Sequence, residues 1–165
     1  MNKKLTFLLV LLIYGHTSVG QDLTTFILVR HAEKADDGTR NPPLTEEGKL
    51  RAQYLSTLLR DQSISGLYST PYKRTEETLK HIADQKSLVI QSYNPLESNE
   101  WLEGLIKKHE GNTIVISGHS NTIPTLANAL LGRETFTQFD ESDYANLILI
   151  VTSSVGKGKL IHLKI

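Results

Sequence analysis

Three short blocks place cationic and imidazole side chains directly after apolar runs of strand length. Thr24 to Val29 leads into Arg30-His31-Ala32-Glu33-Lys34. Ile64 to Tyr68 leads into Ser69 and Thr70, with Arg74 on the first turn of the helix beyond. Thr113 to Ser117 leads into Gly118-His119-Ser120-Asn121. In open α/β sheets ligands bind outside the carboxyl ends of the strands, so two arginines and two histidines converge on one such rim. A guanidinium is planar, permanently charged and matched to phosphate oxygens, so the arginine pair suits a phosphate. A neutral imidazole held there can attack phosphorus. A second imidazole can donate to an equatorial oxygen as charge builds on it. The arginines also disfavour protonation of His31, which keeps it nucleophilic. Helix N-termini after Thr70 and Ser120 add amide donors and the positive end of a dipole.

These residues need a frame, and the patterning supplies one. Thr24 to Val29 is β-branched and almost continuously apolar, as a strand buried on both faces requires. Arg30 to Leu44 carries Asp36, Asp37, Gly38, Asn41, Pro42 and Pro43, and reads as a loop. Thr45 caps a helix with Glu46 and Glu47 in its first turn, and Leu50, Tyr54, Leu55, Leu58 and Leu59 follow at helical spacing. A strand at Ile64–Tyr68 precedes a helix opened by Thr70 and Pro71 and running to about Asp84. Ser87–Gln91 is strand-like, Asn99–His109 helical, Thr113–Ser117 a central strand and Asn121–Leu131 a helix closed by Gly132. Asn146–Thr152 and Lys159–Ile165 are two last strands around a turn at Gly156-Lys157-Gly158. Alternating strands and helices imply a three-layer α/β domain, its sheet mostly parallel and covered by helices on both faces.

The 165 residues suggest one domain. The first twenty stand apart. Lys3 and Lys4 precede an apolar run from Leu5 to Tyr14, then a small, polar stretch through Gly20, which is the order of a cleaved secretory signal. The apolar run is shorter than a bilayer span, so residues 1–20 are expected to leave and residues 21–165 to form the domain, periplasmic or secreted. A buried helix or retained anchor is the alternative. Cleavage removes two lysines from a balance of 18 basic and 18 acidic residues, leaving a charge of −2. Nothing here resembles the basic face of a nucleic-acid binder. The chain has no cysteine, so disulfides, thiolate chemistry and lipid attachment at a cysteine are excluded.

The blocks resemble those of the histidine phosphatase superfamily, the phosphoglycerate-mutase-like proteins. Arg30-His31-Ala32-Glu33 resembles its Arg-His-Gly/Ala-Glu signature. Leu44-Thr45-Glu46-Glu47-Gly48 resembles its Leu-Thr-x-x-Gly. Ser69 to Thr75, with Arg74 and then Thr78, resembles its Ser-x-x-x-Arg-x-x-x-Thr region, and Gly118-His119-Ser120 its Gly-His-x block. The four come in the family's order between residue 24 and about residue 131. The resemblance implies a phosphoglycerate-mutase-like fold and a two-step reaction without metal or cofactor. His31 becomes a phosphohistidine that water hydrolyses, and Arg30, Arg74 and His119 complete the phosphate pocket.

Other positions carry open readings. Glu97 is the best-placed proton donor to a leaving alkoxide, with Glu100 and Glu103 as rivals; alternatively Glu97 caps the next helix. Without an acid, substrates with good leaving groups are favoured, such as phosphohistidine or phosphoanhydrides. Lys34, Asn41, Ser120 and Asn121 either contact substrate or serve as loop and cap residues. Asp143 and Tyr144 either line the mouth or only turn the chain. His81, His109 and His162 read as surface or satisfied positions, and Trp101 as core. The short domain implies an open, shallow site, suited to a phosphatase acting on small phosphorylated substrates such as envelope phosphosugars or scavenged phosphate esters. Three alternatives stand beside it: a phosphate- or phosphosugar-binding module with weak or no turnover, a mutase-type phosphotransferase, and a zinc site formed by His31, Glu33 and His119. The last lacks a His-Glu-x-x-His helix and would set a cation against Arg30 and Arg74.

Overall fold

The computed structural model describes residues 22–95 and 99–165. The expected signal segment and Glu97 lie outside the described residues. Ten elements follow in order: β1 (Thr24–Arg30), α1 (Glu46–Leu58), β2 (Ile64–Ser69), α2 (Lys73–Lys86), β3 (Ile90–Ser92), α3 (Asn99–Lys108), β4 (Thr113–Gly118), α4 (Thr122–Leu131), β5 (Asn146–Thr152) and β6 (Lys159–Lys164). One six-stranded sheet has the order β3-β2-β4-β1-β5-β6. β1, β2, β3 and β4 pair in parallel, and β5 and β6 extend the sheet antiparallel beyond β1, with β6 at the edge. No helix among the described residues is long and apolar enough to cross a membrane.

β1 and β4 are apolar on both sides because both faces are covered. Phe26 and Leu28 face one core with Ile114, Ile116, Ile148 and residues of α3 and α4, including Leu102, Ile123 and Leu130. Ile27 and Val29 face the other with Val115, Leu55 of α1, and Leu79 and Ile82 of α2. This is the expected three-layer arrangement, mostly parallel with helices on both sides.

The register positions the chemistry. Arg30 pairs with Gly118, and Ser117 lies between Val29 and Ser69, so β1, β4 and β2 end side by side. The chain leaving β1 stays on this rim, because the His31 amide donates to the Gly118 carbonyl at 2.8 Å.

Two helix starts differ from the sequence expectation. α2 begins at Lys73 rather than at Thr70–Pro71, and its cap residue Tyr72 makes no side-chain capping bond. The Asn41 carboxamide oxygen, from the loop after β1, instead accepts from the Lys73 amide at 2.9 Å. Asn121 precedes α4 without a side-chain cap; the Thr122 hydroxyl accepts from the His119 amide at 2.9 Å. The third strand lies at Ile90–Ser92, displaced from Ser87–Gln91, because α2 runs on to Lys86 and Ser87 closes it in a left-handed conformation.

The buried face of α1 also departs from its leucine pattern. Leu50 is 66% exposed and Tyr54 and Leu58 are also exposed, while Gly48, Ala52, Leu55 and Ser56 face inward. Small residues are required because α1 crosses the loop that follows His31. Thr45 accepts from the Gly48 amide as N-cap, and its own amide donates to the Glu33 carbonyl at 2.9 Å. A β-carbon on Gly48 would lie 2.3 Å from that same carbonyl oxygen. Gly48→Ala must therefore push α1 off the His31 loop. We expect a loss of about 1–3 kcal/mol in chemical denaturation, the usual range for overpacking against fixed backbone; unchanged stability would contradict this close approach.

Candidate active site

His31 sits 3% exposed on the rim between β1 and β4. Its Nδ1 lies 2.7 Å from the Ala32 carbonyl oxygen. A carbonyl only accepts, so Nδ1 carries the proton and Nε2 holds the lone pair. Burial foremost, assisted by the positive charges of Arg30 and Arg74, lowers the His31 imidazole from 6.5 to about 4, against the raising effect of the Ala32 carbonyl. The ring is therefore neutral at physiological pH, with Nε2 unprotonated.

His119 meets His31 edge-on, ring centroids 5.5 Å apart. Its Nε2 lies 2.9 Å from the Thr70 hydroxyl. That hydroxyl donates to the Thr75 hydroxyl at 3.0 Å, so it accepts from His119. Thr70 thus orients the His119 ring rather than capping α2. The His119 Nδ1 lies 3.4 Å from an Arg74 Nη2, a guanidinium donor. Burial first, then Arg74 and Arg30, brings His119 down to about 4, with Glu141 acting the other way. A neutral His119 hydrogen-bonded in this way accepts at Nδ1, so donating to a phosphoryl oxygen from that atom requires it to take up a proton.

The two arginines are braced by tyrosines. Arg30 stacks on Tyr144 at 4.3 Å and Arg74 on Tyr72 at 4.5 Å. The Tyr144 ring lies 6.1 Å from the His31 ring, so Tyr144 lines the mouth as well as turning the chain. Arg30 also anchors the segment after α4: its Nη1 donates to the carbonyls of Asp140, Glu141 and Asp143 at 2.7, 3.0 and 3.1 Å. Its Nη2 meets the Glu141 carboxylate at 2.7 Å. The Nε atoms of Arg30 and Arg74 are buried without a hydrogen-bond partner among the described residues. Thr78 ties α2 to the His31 loop by accepting from the Ala32 amide at 3.0 Å while donating to the Arg74 carbonyl at 2.7 Å.

Arg30, His31, Arg74 and His119 are thus brought together. Ser120 reaches the same place by donating to Glu141 at 2.5 Å. Lys34 is exposed and acts on Glu141 through its charge. Asn41 is occupied in capping α2, which removes it from the substrate-contacting set, and Asn121 is exposed at the start of α4. Glu33 turns away to a bidentate pair with Arg51 at 2.6–3.0 Å, so it does not join the two histidines as a zinc ligand. The depth of His31 contradicts an open, shallow site, because the 140–144 segment folds over the rim. Sequence reasoning missed Glu141 and Tyr72. Glu141 stands in Asp140-Glu141-Ser142-Asp143, a run that reads as an ordinary solvated loop.

The family model of the histidine phosphatase superfamily (branch 1) matches residues 26–98, which carry Arg30, His31, the Leu-Thr-x-x-Gly block and Arg74. The match covers 73 of the chain's 165 residues. Over 74 residues it is 36% identical to phosphoserine phosphatase 1 of Hydrogenobacter thermophilus, a stretch covering 41% of the chain and 35% of that relative. The match therefore spans about a third of the relative's length. The solved structure of the protein histidine phosphatase SixA complexed with tungstate superposes with a TM-score of 0.70 at 17% identity, over 85% of this chain and 96% of that one. Phosphoserine phosphatase of Entamoeba histolytica, in complex with 3-phosphoglyceric acid, gives 0.66 at 17% identity, over 86% and 97%. A mycobacterial glucosyl-3-phosphoglycerate phosphatase gives 0.66 at 13%, over 86% and 99%. At these identities the likeness is one of fold, and it covers more of the chain than the family match does.

The low proton affinity of His31 is directly measurable. Its imidazole resonances, assigned by their loss in His31→Asn, should keep the neutral signature as pH falls and titrate near 4. A midpoint near 6.5 would contradict the burial and charge described above.

Proposed function

We propose that the chain is a metal-independent phosphatase that hydrolyses phosphate monoesters through a phosphohistidine on His31. One observation carries the reading: a buried neutral imidazole with its Nε2 lone pair set free by the Nδ1–Ala32 bond, between two guanidinium groups. Nε2 attacks phosphorus as the ester oxygen leaves. Arg74 and Arg30 balance the charge spreading over the equatorial oxygens. A bound phosphate dianion raises the proton affinity of His119, which then donates from Nδ1 to one of those oxygens. Water next attacks phosphorus as its proton passes to the carboxylate left when the leaving oxygen was protonated, and His31 departs with its lone pair restored.

Glu97 is proposed as the proton donor to the leaving oxygen. Residues 1–20 are proposed as a cleaved secretory signal that exports the domain, on the charge, apolar run and small-residue order of that segment. The tungstate and 3-phosphoglycerate complexes of the structural neighbours support a phosphorylated small molecule as substrate class.

The purified chain should hydrolyse para-nitrophenyl phosphate in EDTA, and His31→Ala should lose about 10³-fold or more in kcat, the scale of a removed nucleophile. Activity that survives in His31→Ala, or that EDTA abolishes, would overturn the mechanism. Glu97→Gln should lower kcat for alkyl phosphates about 10²-fold while changing the para-nitrophenyl ester little, because nitrophenolate leaves without a proton. Equal loss on both substrates would remove Glu97 from the role of acid.

A further inference from the structure

An anionic side chain of the protein itself occupies the cationic pocket. The Glu141 Oε2 pairs with Arg30 Nη2 at 2.7 Å, and its Oε1 accepts from the Ser120 hydroxyl at 2.5 Å. The carboxylate thus uses a guanidinium donor and a hydroxyl at the start of α4, both groups that a phosphoryl oxygen would use. The Ser120 hydroxyl first, and then the charges of Arg30 and Lys34, hold its carboxyl below the usual range, so it is charged.

Displacement cannot carry it far. The backbone beneath it is pinned on several sides. Arg30 Nη1 holds the carbonyls of Asp140, Glu141 and Asp143, and the Phe139 amide donates to the Ser120 carbonyl at 2.9 Å. Upstream, Asn128 fixes Thr135 and Phe136 through both ends of its carboxamide. The Glu141 side chain, by contrast, is 64% exposed and free to rotate outward. A phosphate arriving at Arg30 therefore turns the carboxylate towards the mouth, where the substrate's leaving group must project. Lys34, whose charge acts on Glu141, is itself exposed, and an exposed pair holds the displaced carboxylate only weakly.

We propose that Glu141 is a specificity-determining residue: it competes with phosphate for Arg30 and, once displaced, selects substrates whose leaving group carries a positive charge close to the phosphate. Phosphate esters of amino alcohols fit this rule. Esters with a carboxylate at the same distance meet like-charge repulsion, which disfavours the wrong partner more strongly than attraction favours the right one. The inference rests on the phosphatase reading of the site.

Its test does not need turnover. Calorimetry on the full chain would compare two non-hydrolysable phosphonates of similar size, 2-aminoethylphosphonate and phosphonoacetate, with inorganic phosphate as the reference ligand. The parent should prefer the amine. In Glu141→Gln that preference should fall about tenfold, mainly because phosphonoacetate binds more tightly, and inorganic phosphate should also bind more tightly. Glu141→Asp should retain part of the preference, which separates charge from a general effect on loop folding. An equal ratio in parent and Glu141→Gln, or binding of none of the three ligands, would overturn the proposal. Failure of the phosphatase reading shows separately, as absent hydrolysis of para-nitrophenyl phosphate despite these binding differences.

Discussion

The hydrogen bond from His31 Nδ1 to the Ala32 carbonyl, 2.7 Å long, sets what this site can do. It fixes both the tautomer and the plane of the ring, and so leaves Nε2 unprotonated, as the proposed nucleophilic role requires. Much of the surrounding structure serves to hold that one residue of backbone. The His31 amide is tied to β4 through Gly118, and the Ala32 amide is tied to α2 through Thr78. The Glu33 carbonyl takes the Thr45 amide at the start of α1. Three different elements thus grip three consecutive residues, which is the preorganisation a nucleophile needs to avoid rearrangement at the moment of attack.

Arg30 shows how one buried side chain serves two purposes. One nitrogen holds the carbonyls of the segment that covers the site, and the other meets Glu141. The covering segment and the Glu141 carboxylate are therefore coupled through a single planar group. A lysine could not replace it, since an ammonium lacks the fixed fork that separates the two sets of bonds. The same coupling explains the depth of His31. The loop needs no insertion to cover the rim, because Arg30 draws it over.

What the sequence made legible is uneven, for physical reasons. Strands buried on both faces announce themselves as apolar runs, and the residues that follow them, Arg30-His31 and Gly118-His119, could be placed on one rim from order alone. The Leu-Thr-x-x-Gly and Arg-x-x-x-Thr patterns are local, and the structure gives each a packing reason in Gly48 and Thr78. The buried stripe of α1 was misjudged because the helix crosses backbone, where Gly48 and Ala52 fit and the leucines do not. Thr70 and Asn41 exchange their expected duties across a tertiary contact that no local pattern encodes. Glu141 is the clearest case. Its partners Arg30 and Ser120 lie 111 and 21 residues away, and nothing in an acidic loop marks one carboxylate as the partner of a buried arginine.

The account stands on covalent chemistry at one atom, the Nε2 of His31. The most direct measurement is rapid-quench trapping of the enzyme during turnover, followed by locating the phosphoryl group within the protein by NMR of the imidazole nitrogens. The account predicts an alkali-stable, acid-labile phosphohistidine on residue 31, bonded at Nε2. A phosphoryl group on Nδ1 or on His119, or hydrolysis by direct attack of water with no trapped intermediate, would contradict it.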